Sequence, residues 1–358
     1  MIPTVELYPR FANRSGGVSR GITHSSYGAR VRVRTRPNKE QGGQNLRTDY
    51  LSRVNQLPDM WPQMRSFLVA NEAVHNLLLG LLRHFVEHPE DRDDMAYAGV
   101  IRDSNQNLVL TALQTKGHNL ILSESSKPAV LELLVDDLYS LGMALPGVIG
   151  PQALSQQFAR LWQKKTRSGL VLEAHERIHE LTAIAIPPTT TPGNMRQAET
   201  RDEDWILDWL DAFVREAMPH QVSDVVAITA RSVRRLYQAR RQAGFAVSEV
   251  NGKPVCIVGY GNPTITGIRV GPVYTPPALR GHGYATALVR QVTQNLLDWG
   301  YRKVYLFTDL SNLTSNRIYR RIGYQPIADV DSYGFVGTSR EKEAVQKSNR
   351  PEAPTLTR

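Results

Sequence analysis

Arg280-Gly281-His282-Gly283-Tyr284-Ala285 is the stretch on which the reading of this chain turns. Before it lies a β-prone run, Gly267-Ile268-Arg269-Val270-Gly271-Pro272-Val273-Tyr274-Thr275, and after it a helix-prone one, Thr286-Ala287-Leu288-Val289-Arg290-Gln291-Val292. A strand, a glycine-punctuated turn and a helix start together make an anion site. The first-turn N–H groups have no intrahelical acceptor, the helix dipole favours negative charge, and glycine lets a phosphate approach the backbone.

The sequence downstream agrees. Lys303-Val304-Tyr305-Leu306-Phe307-Thr308 reads as a buried strand, β-branched and aromatic, ending at Asp309. A short helix is expected over Asn312-Leu313-Thr314-Ser315-Asn316-Arg317-Ile318-Tyr319, then Gly323-Tyr324 and a closing strand from Gln325 to Val330. Asn312 and Tyr319 are two helical turns apart, so they share one face.

The six-residue stretch fits Q/R-x-x-G-x-G/A, and with the Asn312–Tyr319 segment it resembles the GNAT superfamily of acetyl-CoA-dependent N-acetyltransferases over roughly Gly193 to Val336. The resemblance implies an α/β fold with a mixed, mostly antiparallel central sheet flanked by helices. It also implies acetyl-CoA as co-substrate, no metal, and direct transfer of an acetyl group to an amine acceptor. By the same resemblance, Arg280, Gly281, His282, Gly283, Tyr284, Ala285 and Thr286 cradle the pyrophosphate, with His282 standing where the family often has Arg. Val273, Tyr274 and Thr275 pair the pantetheine arm like an added strand, Asn312 and Asn316 hold it, and Tyr319 protonates the leaving thiolate. Pro272 cannot donate to a ladder, so a bulge or a sheet edge is expected there, and the resemblance implies strands that splay at this point. Asp309 is the nearest candidate general base, with helix capping as its other role.

The formal charge of +9 over 358 residues is concentrated at the ends. Residues 1–50 carry nine Arg/Lys against three acids and residues 339–358 five against three, leaving the body close to neutral. Both tails are expected to be disordered. The first also has the Arg- and Ser-rich, acid-poor composition of a transit peptide, so organellar import stays open beside a cytoplasmic location. No apolar run is long enough to span a membrane, and neither a membrane nor a nucleic acid is an expected partner; a homodimer is left open. The single Cys256 lies in an apolar run and is expected to be a buried thiol.

Pro187-Pro188 and Pro192-Gly193 with the intervening Thr run mark a linker, 187–193, between a catalytic domain at 194–338 and an earlier half at 51–186. That earlier half repeats the order of elements: a helical stretch Gln63–Glu87, strands at Ala96–Arg102, Leu108–Gln114 and His118–Leu122, helix Pro128–Leu141, strand Gly147–Gly150, helix Ala153–Lys164 and strand Leu170–Ala183. Glu124-Ser125-Ser126-Lys127-Pro128 stands where the glycine turn belongs, so this half is expected to be a degenerate GNAT-like domain without coenzyme. Residues 67–82 resemble the N-terminal part of a bacterial group of two-domain predicted acetyltransferases. One coenzyme per chain, bound from about residue 190 onward, follows.

Two further functions fit parts of the sequence. A non-enzymatic acyl-CoA-sensing module would carry the same binding motif. His175-Glu176-Arg177-Ile178-His179 matches the H-E-x-x-H signature of zinc hydrolases, whose chemistry needs a helix, yet its flanks are strand-like. Finally, Val233-Arg234-Arg235-Leu236-Tyr237-Gln238-Ala239-Arg240-Arg241 reads as the solvated face of a helix over Ser223–Gly244.

Overall fold

Runs of consecutive apolar residues along most strands require cover on both faces of a sheet, and helices supply it. The computed structural model describes residues 49–187, 191–217 and 241–337. The tails and most of the basic segment at 233–241 therefore lie outside the described residues. Twelve strands form one sheet: β1 (Tyr50–Arg53), β2 (Met95–Arg102), β3 (Leu108–Thr115), β4 (Leu120–Leu122), β5 (Gly147–Pro151), β6 (Gly169–Leu181), β7 (Asn194–Gln197), β8 (Gly244–Val250), β9 (Lys253–Gly261), β10 (Gly267–Tyr274), β11 (Lys303–Asp309) and β12 (Gln325–Val336). Helices α1 (Leu57–Val69), α2 (Asn76–Glu87) and α5 (Glu203–Ala217) lie on one face. Helices α3 (Leu131–Ser140), α4 (Gln152–Thr166), α6 (Tyr284–Asp298) and α7 (Leu313–Ile322) lie on the other. Along β11 the two-sided cover is visible residue by residue: Leu306 belongs to the core under α6 and α7, and Phe307 to the core under α1 and α2.

The sheet is mixed and mostly antiparallel, with parallel pairing only between β4 and β5 and between β10 and β11. Its order is β1-β2-β3-β4-β5-β12-β6-β11-β10-β9-β8-β7. Elements β1–β6 and β7–β12 run in the same succession, so the tandem organisation is real. Each half, however, gives its last strand to the other: β12 pairs with β5, and β6 pairs with β11. The exchanged strands then pair with each other from Gln325↔Glu180 to Val336↔Gly169. Charge pairs cross these seams, with Arg177 bidentate on Asp329 (2.6 and 2.9 Å), His175 on Asp331 (2.5 Å) and Lys303 on Glu180 (3.0 Å). The boundary at 187–193 thus separates two stretches of chain whose sheets are interleaved.

The helix-prone stretch Gln63–Glu87 proves to be two helices, broken at residues 70–75, and the first strand, β1, already starts at Tyr50. The break lets α2 reach across to the other half. Asn262 donates to the Asn76 and Leu77 carbonyls (3.2 and 3.3 Å), and Glu72 accepts from the Thr266 N–H and hydroxyl (2.7 and 2.6 Å). Gly80 permits this approach, because a Cβ there would collide with the Asn262 amide. The Asn251-Gly252 turn has both residues at positive φ (51° and 73°), as a type I′ hairpin requires.

H-E-x-x-H lies on β6, a strand. Positions i and i+4 of a strand are about 13 Å apart at ~3.3 Å per residue, so His175 and His179 cannot share an ion. His175 pairs with Asp331, while His179 is fully buried and points under α7 towards Thr308. The hydrolase reading fails on this geometry.

Candidate active site

Two local features open a cleft. The first is a bulge in β10: Val270 pairs with Tyr260 but Val273 with Val258, so one extra residue is inserted at Gly271-Pro272. The second is the early end of parallel pairing between β10 and β11, confined to Gly267–Arg269 against Lys303–Tyr305. Past that point the pairing stops, and a cleft of about 490 Å³ lies beside the end of β10, lined by the end of α5, the start of α6 and α7.

The start of α6 faces this cleft. Arg280 is extended, Gly281 has φ 85°, and Gly283, the N-cap, has φ 81°, a region in which side chains are strained. The first helical bond runs from Ala287 N–H to the Gly283 carbonyl (3.0 Å), so the N–H groups of Tyr284, Ala285 and Thr286 have no acceptor within the helix. Among the described residues no side chain caps them. Arg280 stands beside this turn and donates to the Thr275 carbonyl (2.9 Å) and to Glu216 (2.6 Å).

The cleft gathers Val273, Tyr274, Thr275, Arg280, Gly281, Gly283, Tyr284, Ala285, Thr286, Asn312 and Tyr319. Two expected residues stand outside its lining. His282 is exposed, stacked on Tyr284 at 5.5 Å. Asn316 accepts from the Thr308 hydroxyl (2.6 Å) and donates to the Asp309 carbonyl (3.0 Å), tying α7 to the end of β11. Asn312 caps α7, its side chain accepting from the Ser315 N–H (3.1 Å). Asp309 serves as a turn residue, its carboxylate accepting from the Ser311 N–H (2.7 Å), and is not part of the lining.

Tyr319 is 3% exposed and edge-on to Tyr324. Burial first, and the neighbouring Tyr324 second, hold its phenol well above the usual tyrosine pKa, so the hydroxyl keeps its proton at neutral pH. Burial likewise pushes the Cys256 thiol up to about 12, which removes it as a nucleophile. Sequence reasoning missed Glu216. It lines the cleft, pairs with Arg280 and accepts from the Tyr274 hydroxyl (3.1 Å). Nothing in the sequence separates it from the other acids on α5.

The corresponding place in the first half is built differently. Leu131, Leu134 and Leu138 of α3 pack with Leu154, Phe158 and Trp162 of α4 in one core. Phe158 stands seven residues into α4, as Tyr319 does in α7, without the hydroxyl. The loop before α3 is occupied by protein: the Glu124 N–H donates to His75 (3.0 Å), Lys127 N–H to Ser125 (3.1 Å), and Lys127 Nζ to Asp49 (2.7 Å).

A parallel pair that ends early in a mostly antiparallel sheet, with a glycine-rich helix start beside the opening, defines a mixed α/β domain with a cleft at the end of β10. The sequence comparisons narrow that class. Residues 205–324 match the model of the acetyltransferase (GNAT) family. An uncharacterized N-acetyltransferase of Methanocaldococcus jannaschii is 32% identical over 92 residues, which span 24% of this chain and 41% of that relative. The match is confined to about a third of the chain, and it is residues 205–324 that carry a segment similar to the GNAT acetyltransferases. The fold has solved counterparts, at identities low enough to speak for the fold alone. A Drosophila protein aligns with TM-score 0.57 at 12% identity, covering 80% of this chain and 98% of its own. A tandem GNAT protein from the clavulanic acid biosynthesis pathway aligns with TM-score 0.50 at 11% identity over 81% and 99%. No helix among the described residues is long and apolar enough to cross a membrane.

Proposed function

We propose that this protein is an acetyl-CoA-dependent N-acetyltransferase acting through its C-terminal cleft. The observation that carries the reading is the uncapped α6 start, with two glycines at positive φ, opening onto the same cleft as a buried, protonated Tyr319. The cradle fits a pyrophosphate: no atom lies within 4 Å of a Cβ built on Gly281, and three N–H groups lack helical acceptors.

When bound, the coenzyme supplies an acyl thioester. Tyr284, Ala285 and Thr286 hold its diphosphate through backbone N–H groups. Arg280 adds charge once it exchanges Glu216 for phosphate oxygens. The backbone of Val273–Thr275 orients the pantetheine arm, and Asn312 closes its other side. An amine attacks the thioester carbonyl, the C–N bond forms and the C–S bond breaks. Tyr319 then donates its proton to the sulfur. The amine proton leaves through water to solvent, while Glu216, released from Arg280, keeps the hydrogen bond from the Tyr274 hydroxyl.

The test is thiol release from acetyl-CoA by the purified protein across a panel of amines: small polyamines, amino acids, aminoglycosides and peptide amino termini. Release that depends on the amine supports the enzyme. Coenzyme binding by calorimetry with no release from any amine favours a coenzyme-sensing module.

A further inference from the structure

The end of α2 carries four metal-capable side chains that the acetyl-transfer reading does not use. His84 and His88 are one helical turn apart on one face, and Pro89 then turns the chain so that Glu90 and Asp91 fold back beneath them. His84 Nε2 lies 3.0 Å from Asp91 Oδ2, and His88 Nδ1 3.3 Å from Glu90 Oε1. The two imidazole rings are 4.6 Å apart between centroids. Donor atoms of His88, Glu90 and Asp91 all lie within 4.8 Å of one another.

We propose that His84, His88, Glu90 and Asp91 form a divalent-metal site of the zinc type. Bonds of about 2.0–2.1 Å in tetrahedral array put donor atoms roughly 3.3 Å apart; the His84–Asp91 and His88–Glu90 pairs stand near that separation, while the His88, Glu90 and Asp91 donors lie within 4.8 Å of one another and His84 joins them through Asp91. Two imidazoles with two carboxylates are a donor set that zinc accepts, and the carboxylates balance its charge. Asp91 is 5% exposed, whereas His88 and Glu90 face solvent and leave a path for the ion. The surrounding cations are engaged elsewhere: Arg83 pairs with Glu87 (2.7 Å), and Arg92 donates to the Phe85 carbonyl (2.7 Å). A bound ion joins the end of α2 to the turn leading into β2 and so clamps the helix that docks on the 262–266 segment. This goes against the metal-free expectation drawn from the sequence.

The experiment is equilibrium titration of the untagged, chelator-treated full chain with Zn²⁺ against a chromophoric competitor. Co²⁺ is used in parallel, because its visible absorption reports tetrahedral coordination. One equivalent of zinc per chain, a Co²⁺ band and a zinc-dependent rise in Tm are expected. Glu90→Gln, at an exposed position that folding does not need, should weaken zinc at least about tenfold. The double variant His84→Ala/His88→Ala should weaken it by more than about a hundredfold, beyond what loss of a supporting residue causes. Absence of stoichiometric zinc in the wild-type chain overturns the proposal. So does zinc bound unchanged by Glu90→Gln and by the double variant.

Discussion

Tyr319 and Gly283 are the residues on which the proposed chemistry rests. Tyr319→Phe keeps the ring that packs against Tyr324 and removes only the proton donor. Its interaction with sulfur is made mainly in the transition state, so kcat is expected to fall by about 10²–10⁴-fold with acetyl-CoA affinity and Tm nearly unchanged. A loss of Tm with kcat retained would make it a packing tyrosine, as Phe158 is in α4. Gly283→Val places a β-branched residue at φ 81° and sets side-chain bulk against Thr191, whose hydroxyl already lies 3.1 Å from a Cβ at this position. The strain costs about 1–2 kcal/mol, and calorimetry should show coenzyme affinity reduced at least about tenfold. Affinity retained in this variant would place the diphosphate elsewhere.

At the scale of elements, the exchanged strand β6 determines how stability follows pH. Burial pushes the His179 imidazole down to about 4, whereas in an unfolded chain it sits near ~6.5. Between those values the unfolded state binds a proton that the folded state does not, so stability rises with pH across the window and is lost as pH falls from about 6.5 towards 4. The ceiling is roughly 3 kcal/mol at 1.36 kcal/mol per pKa unit. Melting curves at stepped pH should show a shallower slope for His179→Leu than for the wild type. Equal slopes would mean that another group, of which buried His75 is the first to examine, carries the effect.

For the whole molecule, the interleaved sheet changes what separated halves should do. Residues 188–358 alone lack β6, which pairs with β11 and β12 at once, and β12 also loses β5. Unpaired central strands expose backbone donors and apolar faces. Size-exclusion profiles should therefore show the isolated segment aggregated, and mixing during refolding with residues 1–187 should restore a soluble species that binds one acetyl-CoA. A monomeric isolated segment that binds coenzyme would show that the exchange is dispensable. The closed α3–α4 core predicts that the intact chain binds one coenzyme and not two.

The sequence by itself determined the elements and the main lines of the site. Hydrophobic period, the Asn251-Gly252 turn and the glycine turn at 281–283 act within a few residues, so they are legible without the fold. Pro272 announced the bulge for the same reason: a missing N–H is a local fact. Only the tertiary structure decided which strand neighbours which, because β6 and β12 have similar patterns and either could close either half. The same limit explains the site residues that sequence reasoning misplaced. Asn316 turns to Thr308 and the β11 carbonyls, and Glu216 enters the cleft because α5 ends beside Tyr274. Those roles come from contacts between segments distant in the chain, and distance in sequence carries no record of them.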